Sequence, residues 1–242
     1  VTENELGVPF PGVPVRRERW TRTRTALPPA GKTFDWRAVF GREAPRVLDL
    51  GCGNGRYLLG SALARPTHDH VGVDVVPQAI DHACRRATER GLTNVRYAWG
   101  DATVFLLERS AEASVDELHV YHPQPYYEVA DRSKRMLTPL FLARAWHVVR
   151  PSGLLVLQTD NPRYWEYLLE VVPSFFRFEA HPGPWPEAPR GRTRREIVAR
   201  SKGLEIFRGV GTRRDELASA TVLGLGASLP EPAFDANKPG FD

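Results

Sequence analysis

The run Val47-Leu48-Asp49-Leu50-Gly51-Cys52-Gly53-Asn54-Gly55 has the residue types to hold a small ligand against main chain. Glycines there let the backbone turn sharply and approach a ligand with no Cβ in the way. An apolar strand precedes the glycines and a helical stretch, Arg56 to Ala64, follows them. In a doubly wound sheet that order places the ligand outside the carboxyl ends of the strands. Nineteen residues after Gly55, Asp74 closes the next strand, where a carboxylate can accept from both hydroxyls of a ribose. Gly100-Asp101-Ala102 follows the third strand, where a carboxylate can meet an adenine amino group. Asp49, Asp74 and Asp101 thus stand at three successive strand ends.

Two nucleotide-type ligands use this geometry. A dinucleotide site wants G-x-G-x-x-G, with a helix N-terminus facing pyrophosphate. Here the third glycine falls at 55 and Arg56 takes the sixth position. Asp49, two residues before the first glycine, puts negative charge where phosphates would lie. S-adenosylmethionine has no phosphate and carries an ammonium and a sulfonium, and Asp49 can serve that cationic end. The set resembles the class I S-adenosylmethionine-dependent methyltransferases. That resemblance implies a cofactor site built by Asp49, Gly51, Gly53, Asp74 and Asp101. His119, His122 and His147 form no metal spacing with any Cys or carboxylate cluster, so no metal is expected.

The elements that must position these residues alternate. Strands are expected at Val47–Leu50, His70–Asp74, Asn94–Ala98, Ser114–Tyr121 and Leu154–Gln158. Helices are expected at Arg56–Ala64, from Pro77 to about Arg90, at Lys134–Val149 and at Arg163–Val171. Pro77 suits a first helical turn and Gly91 a helix end. Such alternation implies an α/β fold, a mostly parallel sheet covered on both faces. Phe175–Glu179 and Leu204–Arg208 read as antiparallel strands closing one edge, with a short helix at Thr193–Lys202 in the Pro- and Arg-rich segment between them. The class resemblance makes this a doubly wound, Rossmann-like, seven-stranded sheet with an antiparallel last strand. Three parts are expected: a basic, irregular extension over 1–45, holding Pro9, Pro11, Pro14, Pro28 and Pro29; a cofactor-binding domain over 46–211; and a mobile tail over 212–242.

Composition narrows the setting. The chain has 242 residues, enough for one medium α/β domain with extensions. No apolar run reaches the length of a membrane span. Val1 to Phe10 shows no basic segment followed by an apolar core, so a secretory signal is not expected. The only cysteines are Cys52 and Cys84, which excludes a disulfide scaffold and a Cys-based zinc site and suits a reducing, cytoplasmic setting. The net charge is +4, yet residues 15–46 carry +6 and residues 190–214 carry +7. Two basic segments around an acidic remainder point to a polyanion, with nucleic acid first. Arginine outnumbers lysine 29 to 4, a bias that codon usage alone can produce, although it would not cluster the charge.

Later motifs address the substrate. In order come His122-Pro123-Gln124-Pro125-Tyr126-Tyr127, Ser133-Lys134-Arg135, Gln158-Thr159-Asp160-Asn161 and Thr193-Arg194-Arg195-Glu196. In this order and spacing the chain, from about Arg46 to Gly211, resembles the bacterial tRNA (guanine-N7-)-methyltransferases. That family has Pro-Asp-Pro-Trp after the fourth strand, then Lys-Arg-Arg. It has Thr-Asp after the fifth strand and Thr-x-x-Glu in a late basic insertion. Thr159-Asp160 and Thr193 to Glu196 match. Gln124 stands for the family's Asp, Tyr126 for its Trp and Glu128 for a basic residue, and the basic run shrinks to Lys134-Arg135.

The resemblance implies methyl transfer to N7 of guanine in tRNA. Gln124 would be the catalytic-side group, and Asp160, Thr193, Arg194, Arg195 and Glu196 would bind substrate. Arg16, Arg17, Arg19, Arg22 and Arg24, with the arginines of 190–202, would hold RNA phosphates. Thr193 to Glu196 also reads simply as a capped helix start. The changed loop leaves two other readings open: a methyltransferase for another RNA or a small molecule, and a non-catalytic RNA-binding module. Oligomeric state, monomer or homodimer, is not legible.

Overall fold

The computed structural model describes residues 16–236. Pro9, Pro11, Pro14, the Val1–Phe10 segment and the last six residues of the tail lie outside them. The described chain forms two compact units. One runs to Ala111 and takes in Gly183–Val198; the other holds Glu112–Pro182 and the chain from Ala199 on.

The first unit carries three parallel strands, β1 (Arg46–Leu50), β2 (Asp69–Asp74) and β3 (Val95–Trp99), in the order β3-β2-β1. Val47, Leu48, Leu50, Val71 and Val73 are fully buried, as expected of parallel strands covered on both faces. Helix α1 (Trp36–Phe40) comes first, capped by Asp35, whose side chain accepts from Ala38 N at 3.0 Å. Helix α2 (Arg56–Ala64) follows β1, and α3 (Pro77–Glu89) follows β2 with Pro77 in its first turn. Helix α4 (Ala102–Arg109) follows β3 and was not expected. Asp101 caps it: its Oδ1 accepts from Thr103 N at 2.7 Å and Val104 N at 3.0 Å. The basic lead-in is a 3-10 turn, Arg17–Thr23, tied to the sheet edge where Thr25 N donates to Tyr97 O at 2.9 Å.

The second unit carries β4 (Val115–Tyr121), β5 (Val149–Thr159), β6 (Phe176–Ala180) and β7 (Phe207–Arg213), in the order β4-β5-β7-β6. β4 and β5 are parallel; β7 runs antiparallel to both β5 and β6. The helix expected at 134–149 starts later, as α5 (Pro139–Val148). Pro139 lacks an N–H and can only begin a helix, and Thr138 Oγ1 caps it by accepting from Phe141 N at 3.1 Å. Helix α6 (Pro162–Val171) starts in the same way behind Asn161. Helix α7 (Arg194–Ser201) fills the late basic segment.

The last strand was expected at 204–208 and lies at 207–213. In the strand Gly209 and Gly211 leave room for the Phe178 and Phe176 side chains of β6. The tail also differs from expectation. It holds helix α8 (Ser219–Ser228), packed on α5, with Gly226 close against Ala143 and Pro139. Beyond it, Phe234 packs against Tyr164 and Tyr167. No helix among the described residues is long and apolar enough to cross a membrane.

Candidate functional site

In the first unit the β1–α2 turn brings Asp49, Gly51, Gly53 and Asp74 together. Gly51 and Gly53 sit at φ +77° and +53°, a region that disfavours other residues, and a Cβ at either would meet nothing within 4 Å. The loop therefore presents bare main chain to open space. Gly55 serves packing instead, since a Cβ there would lie 2.6 Å from the Tyr97 ring and 2.8 Å from Ala83. It lets α2 start close over β3.

Asp74 holds this loop in shape. Its Oδ2 accepts from Gly53 N at 2.7 Å and its Oδ1 from Val76 N at 2.8 Å. Each carboxylate oxygen keeps a second lone pair. Asp49 is 1% exposed, and its Oδ1 is buried with no hydrogen bond. Burial first, then the Asp74 carboxylate, pushes the Asp49 carboxyl well above the usual range, while the Arg192 guanidinium pulls it down. A buried acceptor with no donor beside open main chain fits a ligand that brings a cation. Cys52 is no nucleophile: burial, then Asp49 and Asp74, push its thiol up, so it stays S–H. Asp101 is exposed and spends Oδ1 on the α4 cap. Its Oδ2 takes no part in that cap.

The Thr193–Glu196 box belongs to the same unit. Thr193 Oγ1 accepts from Glu196 N at 3.0 Å, and Glu196 Oε2 accepts from Arg192 N at 2.8 Å. This is the capped helix start, with Glu196 itself fully buried. Arg194 and Arg195 are exposed. Arg192 turns inward instead. It lies 3.6 Å from the Trp185 ring centroid, and its Nε donates to Glu187 Oε1 at 2.6 Å. It is therefore not one of the phosphate-facing arginines expected in 190–202, but a positive charge felt by Asp49.

The second unit brings Gln124 and Asp160 into one neighbourhood through His122, to which the sequence assigned no role. His122, at φ +52°, places its ring between Asp160 Oδ1, 3.1 Å from Nδ1, and Gln158 Nε2, 2.8 Å from Nε2. Asp160 is thus anchored rather than open: its side chain is 8% exposed, and that of His122 is 4% exposed. Gln124, two residues on, is exposed. Arg135, the second residue of the shortened basic run, is buried. It donates to Pro125 O at 2.6 Å and Tyr126 O at 3.0 Å on the loop, and to Phe234 O at 2.8 Å on the tail. A buried guanidinium held by carbonyls fixes the loop and cannot meet a phosphate. The sequence signal for both residues was weak: a lone histidine and a clipped basic run.

Known proteins align with this chain over the same segment. The model of a family described as "Putative methyltransferase" matches residues 43–208. A tRNA (guanine-N(7)-)-methyltransferase of Halorhodospira halophila is 32% identical over 191 residues, covering 77% of this chain and 82% of that protein. One from Alkalilimnicola ehrlichii is 30% identical, covering 78% and 81%. Among solved structures, the 16S rRNA methyltransferase KamB superposes with a TM-score of 0.57 at 18% identity, covering 74% of this chain and 92% of that one. That likeness shows the class I fold.

Proposed function

Because the chain belongs to the tRNA (guanine-N7-)-methyltransferase family, we propose that it transfers a methyl group from S-adenosylmethionine to N7 of a guanine in tRNA. The observation that carries the cofactor assignment is the Asp49 carboxylate, buried without a donor beside the open glycine turn. When bound, the cofactor supplies an electrophilic methyl group on a sulfonium. In this reading Asp49 takes the cationic end, Gly51 and Gly53 give close main-chain approach, Asp74 accepts from the ribose hydroxyls and Asp101 meets the adenine.

Guanine N7 has a free lone pair and no proton, so the chain needs no general base. Its residues have to hold the base in line for attack. Gln124 suits this role as an exposed amide that can donate to O6 and accept from the guanine edge. Asp160, anchored by His122, is the carboxylate available to balance positive charge growing on the base. Arg194 and Arg195, at the start of a capped helix, and the exposed Arg16, Arg17, Arg19 and Arg22 suit RNA phosphates. Residues 46–211 form the methyltransferase domain in this reading, behind a basic RNA-binding extension, in a cytoplasmic setting. The test is nucleoside analysis of tRNA from cells with and without the gene. Absence of 7-methylguanosine from the tRNA of cells lacking the gene is expected. An unchanged tRNA profile with loss of a methyl mark elsewhere would move the substrate.

A further inference from the structure

A cavity of about 380 Å³ lies beside β3, walled by Thr21, Arg24, Thr25, Ala26, Leu27 and Trp99. It falls within the size range of small-ligand sites. None of these six residues belongs to the cofactor or guanine residues named above. Trp99 ends β3 and is 57% exposed, an unusual placement for so large an apolar ring. Its orientation is set, because Nε1 donates to Val75 O at 3.0 Å. Val75, whose carbonyl it meets, and Val76 are also exposed, at 64% and 46%.

The surroundings are cationic. The 3-10 turn that leads into the cavity wall carries Arg17, Arg19 and Arg22 on its exposed side, directly after exposed Arg16. Arg24, at the wall, is anchored through its ion pair with Asp81. A half-open aromatic face beside a chain segment with four exposed arginines has the parts of a stacking platform next to a phosphate track, the arrangement that holds unpaired nucleotides.

We propose that this cavity receives an unpaired nucleobase of the RNA substrate, stacked on Trp99, with the arginines of the 3-10 turn on the flanking phosphates. The inference rests on the tRNA reading above and adds a second, non-reacting contact to it. Trp99 lies two residues before Asp101, so a purine face could also come from the cofactor's adenosine. The charge around the cavity favours the polyanion.

The experiment compares the full chain with Trp99→Ala and Trp99→Phe, measuring affinity for unmodified tRNA, affinity for S-adenosylmethionine and the salt slope. Trp99→Ala should weaken tRNA binding about tenfold, the lower part of the range for one lost stack. Trp99→Phe should keep most of the affinity, cofactor affinity should hold, and the salt slope should stay the same because no phosphate contact is lost. Unchanged tRNA affinity in Trp99→Ala would overturn the proposal, as would a loss confined to the cofactor, which would assign the cavity to adenosine. Failure of the unaltered protein to bind tRNA would instead refute the tRNA reading itself.

Discussion

His122 and Asp160 are joined at 3.1 Å between Nδ1 and Oδ1, with both side chains nearly withdrawn from water. The ring is complete when Nδ1–H donates to the carboxylate and Nε2 accepts from the Gln158 amide. One histidine thereby ties the loop that carries Gln124 to the strand end that carries Asp160.

Replacing His122 with Phe keeps a ring and removes both hydrogen bonds. Each lost hydrogen bond costs about 0.5–1.5 kcal/mol, and about 1.5–3 kcal/mol where the partner is charged. For a chain of this size that lowers Tm by roughly 2–4 °C per kcal/mol. Methyl transfer should fall while cofactor affinity holds. His122→Asn, whose amide can still donate, should recover part of both losses. Thermal melts and transfer assays on the two variants check this, and an unchanged melt for His122→Phe would show that the pair holds nothing in place.

Asp49 couples cofactor binding to protons. Its carboxyl is raised in the free protein, chiefly by burial and then by Asp74. A cation beside it favours the ionised form, so binding should expel a proton. Affinity should therefore rise with pH through the raised value and fall below it. Calorimetry in two buffers of different ionisation heat reads the release directly. Asp49→Asn should abolish the release and weaken binding by about 1.5–3 kcal/mol. The sign for folding is opposite to that of an ion-paired aspartate. The folded chain holds this proton more tightly than the unfolded one, so the contribution is full below the unfolded pKa and lost as pH rises through the folded one. Asp49→Asn should accordingly flatten the decline in stability on the alkaline side.

Salt should weaken tRNA binding, because exposed arginines displace condensed counterions. Reversing Arg16, Arg17 and Arg19 to Glu should flatten the plot of log affinity against log salt. Arg192→Ala should behave differently. Its guanidinium packs on Trp185 and pairs with Glu187, so its loss should lower Tm and raise the Asp49 pKa with little change in salt slope. Equal effects of the two variants on the slope would contradict the inward placement.

Gln124 stands where the resembled family has a carboxylate. A preorganised electrostatic contact is worth on the order of 10²–10³ in rate. Gln124→Asp should raise the rate of transfer to tRNA, and Gln124→Ala should lower it further. A drop for Gln124→Asp would mean that the loop is built around an amide.

The parallel strands, the helices after β1 and β2 and the glycine turn were legible because each follows from local pattern: apolar runs, Pro77 at a helix start, three glycines after a strand. Helix α4, short and capped locally by Asp101, was missed; the rest of what escaped depended on partners distant in sequence. Helix α8 holds two glycines and no charged residue, and its place comes from packing on α5. Gly209 and Gly211 make a good strand only because Phe176 and Phe178 lie beside them. Arg135 reads as a surface cation until the carbonyls of 125, 126 and 234 close around it. Asp49, in contrast, stood out in the sequence because its charge is wrong for phosphate. The structure adds that its Oδ1 is buried without a donor.

Methyl transfer to guanine N7 is tested most directly by incubating the purified chain with unmodified tRNA and S-adenosylmethionine carrying a labelled methyl group, then digesting the RNA and identifying the labelled nucleoside. Label is expected in 7-methylguanosine and should be lost in Asp49→Asn. Label in any other nucleoside, or none from a protein that binds both the cofactor and tRNA, would contradict the assignment.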